Sequence, residues 1–195
     1  MFSSPRPFVR GAALLATAAL TLAACSGGDD PVSDPALPSA GKSEAGDVDS
    51  AGSQELAADL AGALATATPL DGASSFDAAS LTGQHAVVWF WAPWCTICRS
   101  EAPEVAEVAE RYASEVQIIG VPGRGGLDEM TDFVSDTGTG SLPHLADLDG
   151  QVWSAFGVFG QPAFAFIDDD GSVDVFVGGL GGEALAERID ALIAA

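Results

Sequence analysis

The feature that most constrains this chain is a six-residue apolar run, Ala86-Val87-Val88-Trp89-Phe90-Trp91, followed almost at once by Trp94-Cys95-Thr96-Ile97-Cys98. A continuous β-branched and aromatic run reads as a strand buried on both faces, the kind found inside a sheet covered by helices. A Cys-x-x-Cys pair that opens the next helix puts both sulfurs on one face of its first turn. Unpaired N–H groups there and the helix dipole favour a thiolate on the first cysteine. The pair therefore reads as redox-active, with Cys95 the exposed attacking thiol and Cys98 the buried resolving thiol. Two other readings of such a pair are a zinc site and a purely structural disulfide. Structural zinc needs four ligands; no second cysteine pair exists, and the only histidines are His85 and His144. No metal or other cofactor is expected.

Downstream, Val105, Val108, Ala109 and Tyr112 fall at helical spacing, and Val116–Val121 reads as a second strand. Gly125-Gly126 opens a helix presenting Leu127, Met130 and Val134. Ala163–Ile167 and Val173–Val177 are strands joined by Asp168-Asp169-Asp170-Gly171-Ser172, which has the chemistry of a hairpin turn. Leu185, Ile189, Leu192 and Ile193 mark a last helix. The order β-α-β-α-β-β-α predicts an α/β domain whose mixed sheet is parallel in its first half and closed by an antiparallel hairpin. Asp147-Leu148-Asp149-Gly150 and the aspartates of the hairpin do not fit a calcium loop and read as turns. Trp153 and Phe156 read as core, and Trp91 and Trp94 as packing surface around the cysteines.

The start of the chain is of another kind. Arg6 and Arg10 precede an apolar run from Gly11 to Ala24 that is too short to span a bilayer, since a spanning helix takes about 20 residues. It ends in Leu22-Ala23-Ala24-Cys25, which resembles the lipobox of bacterial lipoproteins. Residues 1–24 are thus expected to be a signal peptide and Cys25 the lipidated residue, an anchor stable only with several acyl chains. An ordinary secretion signal with Cys25 left as a free thiol is the alternative. Residues 26–54, rich in Gly, Ser, Asp, Ala and Pro, lack the apolar surface to offset ordering. They read as a tether reaching on the order of 30 Å. Residues 55–68 show weak helical spacing and are assigned with the tether, so that 25–68 is lipidated Cys and tether and 69–195 the folded domain. The formal net charge of −21 repels phosphate backbones and excludes nucleic acid as a partner.

The segment Phe90-Trp91-Ala92-Pro93-Trp94-Cys95-Thr96-Ile97-Cys98-Arg99-Ser100-Glu101-Ala102-Pro103 resembles the active-site segment of thioredoxin-like proteins. Cys98-x-x-Glu101-x-Pro103 is similar to the TlpA/DsbE-like branch. Gln161-Pro162-Ala163-Phe164 resembles that branch's second signature and the form it takes in secreted actinobacterial DsbE-like proteins. The resemblance covers about Phe76 to Ala195 and implies a thioredoxin fold, a central mixed β-sheet flanked by helices. It also implies a cis-proline at Pro162, facing the disulfide and aligning a partner chain. The alternative for Pro162 is an ordinary trans proline opening a strand. Gln161 beside it and Trp94 would contact the substrate. The resemblance further makes Glu101 a proton carrier for the thiols, against the plain alternative of a solvated helix glutamate. Thioredoxin's buried strand aspartate would fall at Trp89, so Glu101 is the carboxyl left for that role.

The implied function is exchange of disulfides with exported proteins on the outer face of the cell membrane, with a membrane redox partner for recycling. The branch nearest in resemblance favours an oxidase. Reduction of specific clients such as apocytochrome c, or a non-catalytic binding lipoprotein with a structural disulfide, are the competing readings.

Overall fold

A computed structural model describes residues 50–195 except Ser74, with side chains from residue 57 onward. The readings placed on the signal segment, on Cys25 and on the tether up to residue 49 lie outside the described residues.

The central sheet has four strands: β2 (His85–Trp91), β3 (Val116–Pro122), β5 (Ala163–Ile167) and β6 (Val173–Val177), in the spatial order β3-β2-β5-β6. β2 and β3 pair in parallel, whereas β2–β5 and β5–β6 are antiparallel. The apolar run is thus an interior strand with partners on both edges. Helices α2 (Thr96–Arg111), α3 (Leu127–Thr137) and α5 (Gly182–Ile193) supply the other long elements of this half. Every element anticipated from periodicity is present in the anticipated order.

Side chains of a strand alternate between its faces, and β2 divides accordingly. Val87, Trp89 and Trp91 join α2, α3 and α5 in one core through Val105, Met130, Phe133, Leu185 and Ile189. Ala86, Val88 and Phe90 face a second core with Ile119, Val121, Trp153 and Phe156. Burial of each large apolar side chain contributes on the order of 2 kcal/mol.

The second core corrects the expected boundary at residue 69. Helix α1 (Ser50–Thr66) packs onto the sheet through Leu60 and Leu64, which with Ala67 are buried among the residues of that core. Leu60 and Leu64 lie one turn apart, but they sit in a background of Ala and Gly that gives little contrast between the helix faces. A tether assignment through residue 68 missed this apolar stripe, of which Leu60 and Leu64 are the leucines among the residues with described side chains. Four short elements also went unread, one of them a 3-10 helix over Ala78–Leu81. The others are strands β1 (Thr68–Pro69) and β4 (Leu145–Ala146), paired antiparallel, and helix α4 (Gln151–Ala155), which carries Trp153 into the core.

Candidate functional site

The site lies where β2 ends and α2 begins. Cys95 is the N-cap of α2, and Cys95 and Cys98 are joined as a disulfide with Cα atoms 5.3 Å apart. The Cys98 N–H donates to the Cys95 sulfur at 3.1 Å, so the first sulfur occupies the place of an N-cap oxygen. On reduction that donor and the helix terminus stabilise a Cys95 thiolate. Cys98 is fully buried, while Cys95 retains 7% exposure. Both cysteines are thus buried in the disulfide state, and Cys95 is not the exposed thiol expected from the sequence. Around the pair, Trp94 and Ile97 are exposed.

Glu101 is buried on the same helix, one turn beyond Cys98, rather than solvated. Trp89 Nε1–H donates to its Oε1 at 2.9 Å and the Leu180 N–H donates to its Oε2 at 3.1 Å. Burial pushes its pKa up from 4.5 to about 7; the two hydrogen bonds oppose that rise and the charge of Glu104 adds to it. A carboxyl in this state holds or releases a proton near neutral pH, as an acid–base partner to thiols requires. The strand position of thioredoxin's aspartate thus carries an indole that binds the glutamate.

The Gln161–Pro162 peptide bond is cis. The Pro162 carbonyl accepts the Gly178 N–H at 2.9 Å. A Cβ on Gly179 would stand 3.0 Å from Ile97 Cγ2, 3.0 Å from Glu101 Oε2 and 3.7 Å from Pro162 Cγ. Ile97, between the two cysteines, Glu101 and Pro162 therefore meet around Gly179, as their spacing in sequence does not reveal.

Arg124, in the loop between β3 and α3, was not anticipated. Its carbonyl accepts Trp94 Nε1–H at 2.8 Å; its guanidinium donates to the Phe159 carbonyl at 2.8 Å and to Gln161 Oε1 at 3.4 Å, and lies over the Trp153 ring. Its φ of 58° is left-handed, a conformation costing about 1 kcal/mol for a residue with a side chain. This one residue braces the active-site tryptophan against the loop that carries Pro162. Its setting, Gly123-Arg124-Gly125-Gly126, marks a tight turn, but nothing in the local sequence announces contacts 35 residues away. Arg124, Trp153 and Phe159 also line a cleft of about 350 Å³ beside the site. A larger hollow of about 490 Å³, between α1 and the β5–β6 hairpin, touches none of these residues.

Residues 61–176 match the AhpC/TSA family. The chain belongs to that family. Within it, the fold is thioredoxin-like: the solved structure of MTB dsbF superposes with a TM-score of 0.63 at 44% identity, covering 67% of this chain and 97% of that one. A secreted Mycobacterium tuberculosis disulfide oxidoreductase homologous to E. coli DsbE superposes with a TM-score of 0.61 at 37% identity, covering 67% and 98%. In sequence, the soluble secreted antigen MPT53 of Mycobacterium tuberculosis is 43% identical over 107 residues, 55% of this chain. The chain matches 60% of the length of MPT53. The DsbE-like resemblance expected from Cys98-x-x-Glu101-x-Pro103 and Gln161-Pro162 is borne out by the DsbE homologue among these relatives.

Proposed function

We propose that this AhpC/TSA-family chain is a thiol–disulfide oxidoreductase that works outside the cytoplasmic membrane and introduces disulfides into exported proteins. The observation that carries the reading is the Cys95–Cys98 disulfide at the N-terminus of α2, with the more accessible sulfur placed at the N-cap and a buried carboxyl one turn beyond the other.

In the oxidising direction a client thiolate attacks Cys95 Sγ. The Cys95–Cys98 bond breaks and its electron pair leaves on Cys98, which takes a proton from neutral Glu101. A second client thiolate then attacks the client sulfur of the mixed disulfide. Cys95 departs as a thiolate held by the Cys98 N–H, and the client leaves oxidised. The domain is left as a dithiol, to be reoxidised by a membrane redox partner. Stabilising the Cys95 thiolate favours the reduced domain and so makes the pair more oxidising, which supports an oxidase over a reductase. Pro162 and Gln161 align the client backbone, and Trp94 supplies apolar contact. The secreted character of MPT53 and of the DsbE homologue supports the compartment. Lipidation at Cys25 would hold the domain at the outer membrane face; a Cys25→Ser chain is then expected in the soluble fraction of cells, and one still sedimenting with membranes removes the anchor from the proposal.

The deciding experiment is equilibration of the Cys95–Cys98 pair against glutathione or dithiothreitol buffers. A potential near about −120 mV supports an oxidase; one near about −270 mV would assign a reductase instead. A pair with no reversible equilibrium would leave a structural disulfide in a binding lipoprotein.

A further inference from the structure

The segment Gly178-Gly179-Leu180-Gly181-Gly182, which runs from the end of β6 into the first residue of α5, spends alternate N–H groups on acceptors of the site and of α2. Gly178 donates to the Pro162 carbonyl, Leu180 to Glu101 Oε2 and Gly182 to Glu104 Oε2. From the opposite side, β2 presents Trp89 Nε1–H to Glu101 Oε1 at 2.9 Å. Trp89 is fully buried and packs against Trp91 and Phe133, at centroid distances of 5.8 and 6.2 Å, so its donor is fixed in place. Gly179 has an ordinary negative-side backbone, and its lack of a side chain serves close approach. A Cβ there would sit 3.0 Å from Glu101 Oε2 and 3.0 Å from Ile97 Cγ2, so those side chains would have to give way by a few tenths of an ångström.

We propose that Trp89 and the Gly178–Gly182 strap form a two-sided clamp on Glu101, in which Trp89 is a positioning residue and Gly179 admits the strap close enough for the Leu180 N–H to reach the carboxyl. The clamp gives Glu101 one orientation beside the cysteines and sets the pH at which it ionises, because both donors favour the carboxylate over the acid. The inference rests on the proton-carrying role given to Glu101 above, and adds the groups that tune it. Those that face the carboxyl are neutral donors from β2 and from the strap, Glu104 on its own helix as the neighbouring charge, and the Cys98 sulfur one turn back once it is reduced. Because the strap also holds the Pro162 carbonyl, the client-aligning proline and the proton carrier share one support.

The test follows the Glu101 carboxyl by carbon NMR in the oxidised full-length protein through a pH titration, for the wild type, Trp89→Phe and Gly179→Ala. Loss of a hydrogen bond to an ionised carboxylate moves its titration upward by about one pH unit, and both variants are expected to show that shift. Gly179→Ala lies outside the core, so it remains informative if Trp89→Phe does not fold. The clamp is overturned if a folded variant titrates at the wild-type pH. The pH dependence of thiol exchange in Glu101→Gln tests the parent reading separately. Exchange unchanged by Glu101→Gln, together with shifted titrations in the two clamp variants, keeps the clamp and removes the proton-carrying role.

Discussion

Glu101 and His144 are the two titratable side chains most deeply enclosed among the described residues whose proton affinity burial changes strongly, and they are held in opposite ways. Both Glu101 oxygens receive an N–H donor, and the group stands one turn from Cys98. His144 Nε2 bonds the Thr139 carbonyl at 3.0 Å, which makes that nitrogen the protonated one, while Nδ1 has no partner. The indole N–H of Trp91, whose ring meets the imidazole edge-on at 5.6 Å, is likewise without a partner. Burial raises the carboxyl to about 7 and lowers the imidazole to about 4. Glu101 is left able to exchange a proton at neutral pH, whereas His144 stays neutral there and acts as packing. Burial thus shifts the two groups in opposite directions, and what sets Glu101 apart is the donor on each of its oxygens and its place one helical turn beyond Cys98.

The largest effect expected is at the sulfurs themselves. Cys95→Ser should reduce disulfide exchange with a reduced, unfolded client to background, since the attacking and attacked atom is gone. Residual exchange within tenfold of wild type would move the chemistry elsewhere. Next comes the His144 side. A Cβ at Gly120 would lie 2.1 Å from His144 Nδ1 and 2.9 Å from Trp91 Nε1. Gly120→Ala should cost about 3 kcal/mol in urea unfolding, at the upper end for overpacking, and most of that cost should vanish in a Gly120→Ala/His144→Ala double variant. A cost that stays the same in the double variant would mean the imidazole is not what Gly120 accommodates.

That contrast also marks what the sequence discloses. The four main strands, their succession along the chain and the placing of Cys95–Cys98 follow from local signals: an apolar run, a turn, a 3.6-residue period. Glu101 and Pro162 were readable because each sits in a short motif. Arg124, Trp89 as a donor, and the Gly120–His144 contact were not, because each depends on a tertiary approach between segments far apart in the chain. Helix α1 was read as weak helical spacing but assigned with the tether for a different reason: among its residues with described side chains the buried leucines are Leu60 and Leu64, and the alanines around them blur the period.

Linkage supplies the next test. The folded-state pKa of Glu101 lies above its ordinary 4.5, so the folded protein holds that proton more tightly. The resulting stabilisation is complete below about pH 4.5 and is lost as pH rises through about 7. His144 runs the other way: its folded value lies below 6.5, so its contribution is complete above that pH and is lost as pH falls through about 4. Each difference corresponds to about 3 kcal/mol, and the two slopes oppose each other between about pH 4.5 and 6.5. The wild type should therefore be nearly flat across that window. Glu101→Gln should become more stable with rising pH, and His144→Gln less stable. Urea midpoints at pH 4.5, 5.5 and 6.5 with the disulfide intact decide it, and parallel profiles for the two variants would refute the opposition.

The smallest expected effect comes from a charge at the surface. Arg188 pairs with Asp174 at 3.2 Å and lies over the rings of Phe176 and Phe166, with its guanidinium carbon 4.5 and 5.4 Å from the centroids. The pair is open to solvent on the Asp174 side, so it is screened. Arg188→Gln should cost at most about 1 kcal/mol. Part of that loss should disappear at 1 M salt, where the ion pair is screened within about 3 Å, while the contact over the rings persists. A loss as large as those at Glu101 and His144 would show that the surface of β6 and α5 is as demanding as the interior, and the division between buried and exposed ionisable groups would no longer explain where this protein depends on pH.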